Sequence, residues 1–280
     1  MILIADSGST NTDWLMAENG NEVLRITTQG LNPIHQQEEV ICELMRCELL
    51  PQLDGKTPDG VYFYGSGCNE FMSAKMEAAL ARVFPECHNL NVFSDLLAAA
   101  RAVCGKSEGI ACIMGTGANS CLYDGERIVA NTPPLGYILG DEGSGAVLGK
   151  LFVNAVFKGL LPEEIKKAWL EESGMSYQYI INKVYREPLA NRFLASLSPF
   201  IAKHLSCEPL REIVVGNFRE HFRRNVNSYG RKELTVGAVG SIAYFYRDLL
   251  AEAAAAEGYT LGKVMRSPLD NLMQYHSISS

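Results

Sequence analysis

Short runs of β-branched and apolar residues, separated by turns of small polar residues, open the chain and predict strands at 2–6, 12–17 and 22–27. A helix is expected over roughly 36–50, after Pro33. A further strand at Val61-Tyr62-Phe63-Tyr64 ends at Gly65-Ser66-Gly67, and a helical stretch follows from about Glu70 to Val83. The strand Leu90-Asn91-Val92-Phe93 then meets Ser94-Asp95, which opens an alanine-rich helix from Leu96 to Val103. Three strands in a meander, followed by helix, strand, helix, strand and helix, form an α/β pattern.

Near residue 108 the pattern begins again. Ile110 to Met114 is an apolar strand, Gly115-Thr116-Gly117-Ala118-Asn119-Ser120 a small-residue turn, and strands over 120–123 and 127–130 flank Asp124-Gly125. The second half repeats the order of elements of the first, with little residue identity. A duplicated domain is therefore expected, its turn presented twice with a ligand between two lobes. Helices are expected near 144–158, 162–171, 176–185, 189–205 and 209–227. A strand at Leu234-Thr235-Val236 leads into Gly237-Ala238-Val239-Gly240-Ser241. Next comes a helix from about Ile242 to Glu257, with Ser241 as its N-cap and Gly258 as its stop. A strand over about 260–266 and a short helix after Pro268 close the chain. The expected lobes are 1–107 plus about 268–280, and 108–267.

The chain's 280 residues suit two lobes of ordinary size, and 47% apolar with 20% charged residues suits a folded protein. The net charge of −7 argues against a nucleic-acid partner. No apolar run reaches the ~18 residues of a membrane helix. The N-terminus shows no basic region followed by an apolar stretch and a cleavage site, so a cytoplasmic protein without a membrane partner is expected. The eight cysteines form no C-x-x-C pair and read as reduced, mostly buried thiols. On spacing alone an iron–sulfur role for one or two of them stays open. Trp14 and Trp169 read as packing.

Three turns of small residues follow apolar strands: Asp6 to Thr10, Gly115-Thr116-Gly117, and Gly237 to Ser241. Such turns let backbone N–H groups approach a phosphate, and an aspartate at a strand end can hold hydrated Mg2+ beside it. A helix after the third turn would face an anion with its free N–H groups and dipole. Each feature also has a plain structural reading. The first turn fits an ordinary hairpin, and the third fits close helix–strand packing through glycine. Asp95 or Asp141 could cap a helix, and Asn32 before Pro33 could start a turn. Glu142 reads equally as a solvated first-turn glutamate. The chain contains neither a P-loop nor a G-x-G-x-x-G after its first strand.

Asp-x-Gly-x-Thr near the N-terminus, a strand-end Asp opening a helix, Gly-Thr-Gly about twenty residues later, and Gly-x-x-Gly-Ser near the C-terminus resemble the sugar kinase/Hsp70/actin superfamily. Leu139-Gly140-Asp141-Glu142-Gly143-Ser144-Gly145 is similar to the signature of the N-acetylglucosamine kinase group within the BadF/BadG/BcrA/BcrD ATPase family. The resemblance covers essentially the whole chain. It implies two ribonuclease H-like, actin-like ATPase lobes with a nucleotide and sugar cleft between them. It further implies ATP and Mg2+ as cofactors and phosphorylation of an amino sugar, N-acetylglucosamine at its 6-hydroxyl, by a homodimer. By the same resemblance Asp6 holds the Mg2+ shell, and Gly8, Ser9 and Thr10 cradle the outer phosphates. Asp95 is the catalytic base and also meets the sugar, while Asn32 binds it. Gly115, Thr116, Gly117 and Asn119 form a turn touching phosphate and sugar, Asp141 bonds sugar hydroxyls, and Gly237, Gly240 and Ser241 bind adenosine. Where relatives often carry a basic residue this chain has Asn11, and where mammalian kinases carry an aromatic platform it has Leu135-Gly136. Two other readings remain open from the sequence. One is an ATPase activator of the 2-hydroxyacyl-CoA dehydratase type, sharing a cluster across a dimer. The other is a non-catalytic sugar or nucleotide sensor.

Overall fold

Two five-stranded sheets with the same strand order organise the chain. The computed structural model describes residues 1–8, 10–69 and 71–277. The chain divides into two compact units, Met1–Ser107 with Gly125–Arg127 and Ser267–Ser280, and Glu108–Asp124 with Ile128–Arg266.

The first unit contains β1 (Ile2–Ser7), β2 (Asn11–Glu18), β3 (Asn21–Gln29), α1 (Glu38–Leu44), β4 (Gly60–Gly65), α2 (Ser73–Val83), β5 (Asn89–Ser94) and α3 (Asp95–Cys104). Its sheet order is β3-β2-β1-β4-β5, with β1, β4 and β5 parallel and β2 antiparallel to β1 and β3. The inner strands β1, β2 and β4 are buried on both faces, so alternate residues serve different cores. Leu3, Ala5, Trp14 and Met16 face one core with Ile41, Met76 and Leu80 from α1 and α2. Ile4, Leu15 and Ala17 face the other with Ala98 and with Leu269 and Leu272 of the C-terminal helix, Leu269–Ser277. Trp14 is fully buried and its indole N–H donates to Thr28 Oγ1 at 2.9 Å. The helix expected over roughly 36–50 changes type along its length: α1 is continued by a π-helical turn, Met45–Leu49, and a 3-10 turn, Leu50–Leu53.

The second unit contains β6 (Gly109–Met114), β7 (Ala118–Tyr123), β8 (Ile128–Asn131), α4 (Gly136–Leu139), α5 (Gly145–Phe157), α6 (Glu163–Ser173), α7 (Tyr177–Tyr185), α8 (Ala190–Ala195), α9 (Ser198–Lys203), α10 (Glu208–Arg224), β9 (Thr235–Val239), α11 (Ser241–Phe245), α12 (Arg247–Ala256) and β10 (Thr260–Met265). Its sheet order is β10-β9-β6-β7-β8, with β6, β9 and β10 parallel. Read outward from β6, this is the order of the first sheet read outward from β1, so the repeat inferred from element order is a repeat of topology. Its core gathers Phe152, Trp169, Phe218 and Phe222 around β6 and β9. Two expected helices are each broken in two. The 189–205 stretch splits into α8 and α9, and the stretch after residue 241 splits into α11 and α12 at Tyr246. Tyr246 is buried, and its hydroxyl donates to the Ser198 carbonyl at 2.6 Å. The short helix α4 carries no sequence signal of its own and was not expected.

Candidate functional site

In the first unit the register places three strand ends side by side. Asp6 lies opposite Asp13 on β2 and beside Tyr64 on β4, Ser7 lies beside Gly65, and Gly65 lies beside Ser94. Asp95 follows Ser94 as the first residue of α3. The carboxyl-terminal edge of the parallel strands therefore carries both candidate carboxylates, the usual place for a ligand in an open α/β sheet.

The local chemistry separates Asp95 from a capping role. Ser94 is the N-cap, its Oγ accepting from the Leu97 N–H at 3.2 Å. The Asp95 carboxyl is thus not needed to start the helix. Burial raises its pKa, partly opposed by the backbone N–H groups of Asp95 and Leu96. Asp6 is pushed up to about 7, first by burial and then by the charges of Asp95 and Asp13. Asp95 also helps burial push the Cys68 thiol up to about 12. One acidic cluster thus joins the ends of β1 and β4 to the start of α3.

The first hairpin is tied down from within. Ser7 Oγ and Thr12 Oγ1 lie 2.6 Å apart, Ser7 Oγ donates to the Leu31 carbonyl at 2.9 Å, and the Leu31 N–H reaches both hydroxyls. The Gly8 N–H donates to the Asn11 carbonyl at 3.0 Å, so it closes the turn. Thr10 is exposed. Ser9, assigned with them to the phosphates, lies outside the described residues. Asn32 does begin a turn: its Oδ1 accepts from the Ile34 N–H at 2.9 Å, while its own N–H donates to Gln36 Oε1 at 2.8 Å. The same carboxamide packs on Gly67, where a Cβ would come within 2.5 Å of Oδ1. Gly67, which the sequence reasoning passed over, thus fixes where Asn32 stands.

In the second unit the Gly115-Thr116-Gly117 turn is joined to the start of α5. The Gly145 N–H donates to the Gly115 carbonyl at 2.8 Å, and that of Ala146 to the Thr116 carbonyl at 3.1 Å. Gly240 packs on the end of β6, where a Cβ would come within 2.3 Å of the Met114 carbonyl, and its φ of +124° favours glycine. The second and third turns are therefore neighbours. Two expectations need correction here. Gly237 lies inside β9, paired with Ala111, and is a ladder residue of the sheet rather than part of the turn. Gly240, not Ser241, is the N-cap of α11, and that helix has five residues, too few to supply the long-helix dipole inferred for this turn.

Asp141 does not cap α5 either; Ser144 does, its Oγ accepting from the Val147 N–H at 3.1 Å. Asp141 has a φ of +57°, which a non-glycine residue adopts at a cost. Its carboxylate lies against the glycine turn, with Oδ2 3.1 Å from where a Gly117 Cβ would be. Burial raises its pKa and Glu142 adds to the rise, against the Ala118 N–H and Lys150. Asn119, on β7, is oriented by Asn131, whose Nδ2 donates to Asn119 Oδ1 at 2.9 Å. The Glu142 carboxylate accepts from Asn225 Nδ2 at 3.4 Å and stands 3.8 Å from Arg224. Among the described residues no group of three His, Cys, Asp or Glu side chains is arranged to hold a metal, and no helix is long and apolar enough to cross a membrane. All eight cysteines are free thiols; five are buried and Cys47 is exposed.

Two sheets of this topology, each with its candidate residues at the strand ends, define the actin-like ATPase fold found in sugar kinases. No family model matches the chain, and no curated protein does. Among solved structures, a Porphyromonas gingivalis protein described as a "Putative N-acetylglucosamine Kinase" is 48% identical over 99% of both chains, with a TM-score of 0.97. The chain belongs to the same family as that protein. A Chromobacterium violaceum protein with the same description shares the fold at 16% identity, covering 98% of both chains with a TM-score of 0.75. A Streptomyces griseus ROK family glucokinase, solved with glucose and AMPPNP, does so at 13% identity over 99% of this chain and 98% of its own, with a TM-score of 0.56.

Proposed function

We propose that this protein is an ATP-dependent kinase that phosphorylates the 6-hydroxyl of N-acetylglucosamine, in the N-acetylglucosamine kinase group of the BadF/BadG/BcrA/BcrD ATPases. The observation that carries the reading is Asp95: a carboxyl relieved of capping by Ser94, raised in pKa, and adjacent to Asp6 at the strand ends. The 48% identity to the Porphyromonas gingivalis protein supports the amino-sugar assignment over the activator and sensor readings.

In this reading the γ-phosphoryl group passes from ATP to the sugar hydroxyl oxygen, the hydroxyl proton passes to a carboxylate oxygen of Asp95, and ADP leaves. A base raised toward neutrality accepts such a proton more readily than an ordinary aspartate. Asp141 and Asn119 accept from or donate to sugar hydroxyls, with Asn32 as a further sugar contact. Thr10, the Gly115-Thr116-Gly117 turn, Gly240 and Ser241 line the nucleotide. Asp6 suits a hydrated Mg2+: its repulsion by Asp95 and Asp13 is what a divalent cation would relieve, and the hard oxygen donors match Mg2+, which keeps waters and phosphate oxygens. Bound there, the ion would supply charge neutralisation on the phosphoryl oxygens.

The test is ADP release with N-acetylglucosamine, N-acetylmuramic acid, glucosamine and glucose, with the product read by phosphorus NMR. The highest kcat/KM is expected with N-acetylglucosamine, giving the 6-phosphate. No sugar-dependent ADP release from any of the four would overturn the reading.

A further inference from the structure

We propose that Asn217 and His221, on α10, are positioning residues that hold the 140–145 loop so that it presents the Asp141 carboxyl. The role of Asp141 rests on the kinase reading; the clamp itself rests on geometry. The loop is an unfavourable one. Asp141 has φ +57° and Gly143 φ +87°, and a Cβ on Gly140 would come within 2.2 Å of the Pro134 carbonyl. Backbone in such states persists where its surroundings over-determine it.

α10 provides that determination from one face. Asn217 uses both ends of its carboxamide: Oδ1 accepts from the Gly143 N–H at 2.9 Å and Nδ2 donates to the Ser144 carbonyl at 3.2 Å. His221, one turn further on, places Nδ1 2.8 Å from the Glu142 carbonyl. A carbonyl only accepts, so Nδ1 carries the proton, and Nε2, 3.4 Å from Cys112 Sγ, accepts. Burial holds the His221 pKa down at about 4, so this tautomer persists at neutral pH. The ring also closes over Gly143, where a Cβ would lie 3.0 Å from the His221 Cβ. Both side chains are buried. Three consecutive residues after Asp141 are thus gripped by two side chains some 75 positions away in the chain, and Asp141's own N–H donates to the Pro134 carbonyl at 2.9 Å.

The experiment compares the wild type with His221→Leu, His221→Asn and Asn217→Ser. The asparagine puts an amide nitrogen near the place of Nδ1, so it keeps the donor that leucine lacks. For His221→Leu and Asn217→Ser, KM for N-acetylglucosamine should rise at least ~10-fold, the scale of one buried hydrogen bond lost. KM for ATP should stay within ~2-fold. Amide exchange at Gly143 and Ser144 should quicken at least ~10-fold in the same variants, and His221→Asn should return both readouts to within ~3-fold of wild type. A sugar KM that stays put, an ATP KM that rises in step, or a His221→Asn protein as impaired as His221→Leu overturns the proposal. If the wild type phosphorylates no sugar, the kinase reading fails by itself, and the exchange at Gly143 and Ser144 still decides the clamp. If His221→Leu does not fold, Asn217→Ser carries the same comparison.

Discussion

Replacing Asp6 with asparagine should make the ligand-free protein increasingly more stable than the wild type as pH rises. The fold holds the Asp6 pKa at about 7 against an ordinary 3.8, through burial and the charges of Asp95 and Asp13. A carboxyl raised in the folded state favours its protonated form there. Its contribution is therefore fully present below pH 3.8 and is lost as pH rises through about 7. The loss runs at about 1.4 kcal/mol per pH unit between those values and totals about 4 kcal/mol by pH 8. At pH 5 it has reached about 1.7 kcal/mol, so the gap between variant and wild type should widen by about 2.5 kcal/mol from pH 5 to pH 8.5. Asparagine keeps the shape of the side chain and leaves the ladder of β1 with β2 and β4 untouched. Urea unfolding of both proteins at pH 5, 7 and 8.5, without nucleotide or metal, measures the gap. A gap that is constant or narrows with rising pH would refute the argument that Asp6 sits in an uncompensated acidic cluster. Because that cluster is what Mg2+ would relieve, Mg2+ with ADP should stabilise the wild type more than the variant at pH 8.5.

Two further changes probe the scaffold behind the candidate residues. Arg101 Nη1 donates to the Tyr64 hydroxyl at 2.7 Å, which leaves that hydroxyl to donate to His276 Nε2 at 2.8 Å. Burial, helped by Arg101, holds the His276 pKa down at about 4, so its stabilisation is present above pH 6.5 and lost as pH falls toward 4, about 2 kcal/mol by pH 5. His276→Gln should flatten the acid side of the Tm–pH curve, and a curve as steep as wild type would contradict this. Gly240→Ala should lower stability by about 2 kcal/mol or more, because a Cβ would come within 2.3 Å of the Met114 carbonyl at a φ of +124°. Calorimetry giving a Tm within a degree of wild type would count against the close approach.

Short apolar runs made both sheets legible, because the inner strands β1, β2, β4, β6, β7 and β9 are mostly buried and turns of small polar residues separate them. Trp14 and Trp169 are packing residues as expected, 0% and 1% exposed. What could not be read depends on distant partners. The apolar periodicity of 242–257 continues through Tyr246, and the helix breaks there in a conformation held by the Ser198 carbonyl. Gly237 follows a strand and resembles a turn residue, yet the pairing with Ala111 draws it into β9. From the sequence Asp95 could have capped α3; the bond from the Leu97 N–H to Ser94 Oγ gives that role to Ser94. Asn217 and His221 have no spacing relation to Gly140-Asp141-Glu142-Gly143 that could have flagged them, since α10 meets that loop only in the folded unit.

The proposed kinase chemistry depends on Asp95 acting as the base. Asp95→Asn keeps the Ser94 cap and the side-chain shape, so N-acetylglucosamine binding measured by calorimetry should stay within ~3-fold of wild type. Turnover should fall at least ~100-fold, the usual loss when a general base is removed and equivalent to about 2.7 kcal/mol of barrier. Turnover within ~3-fold of wild type, with sugar bound as before, would contradict it.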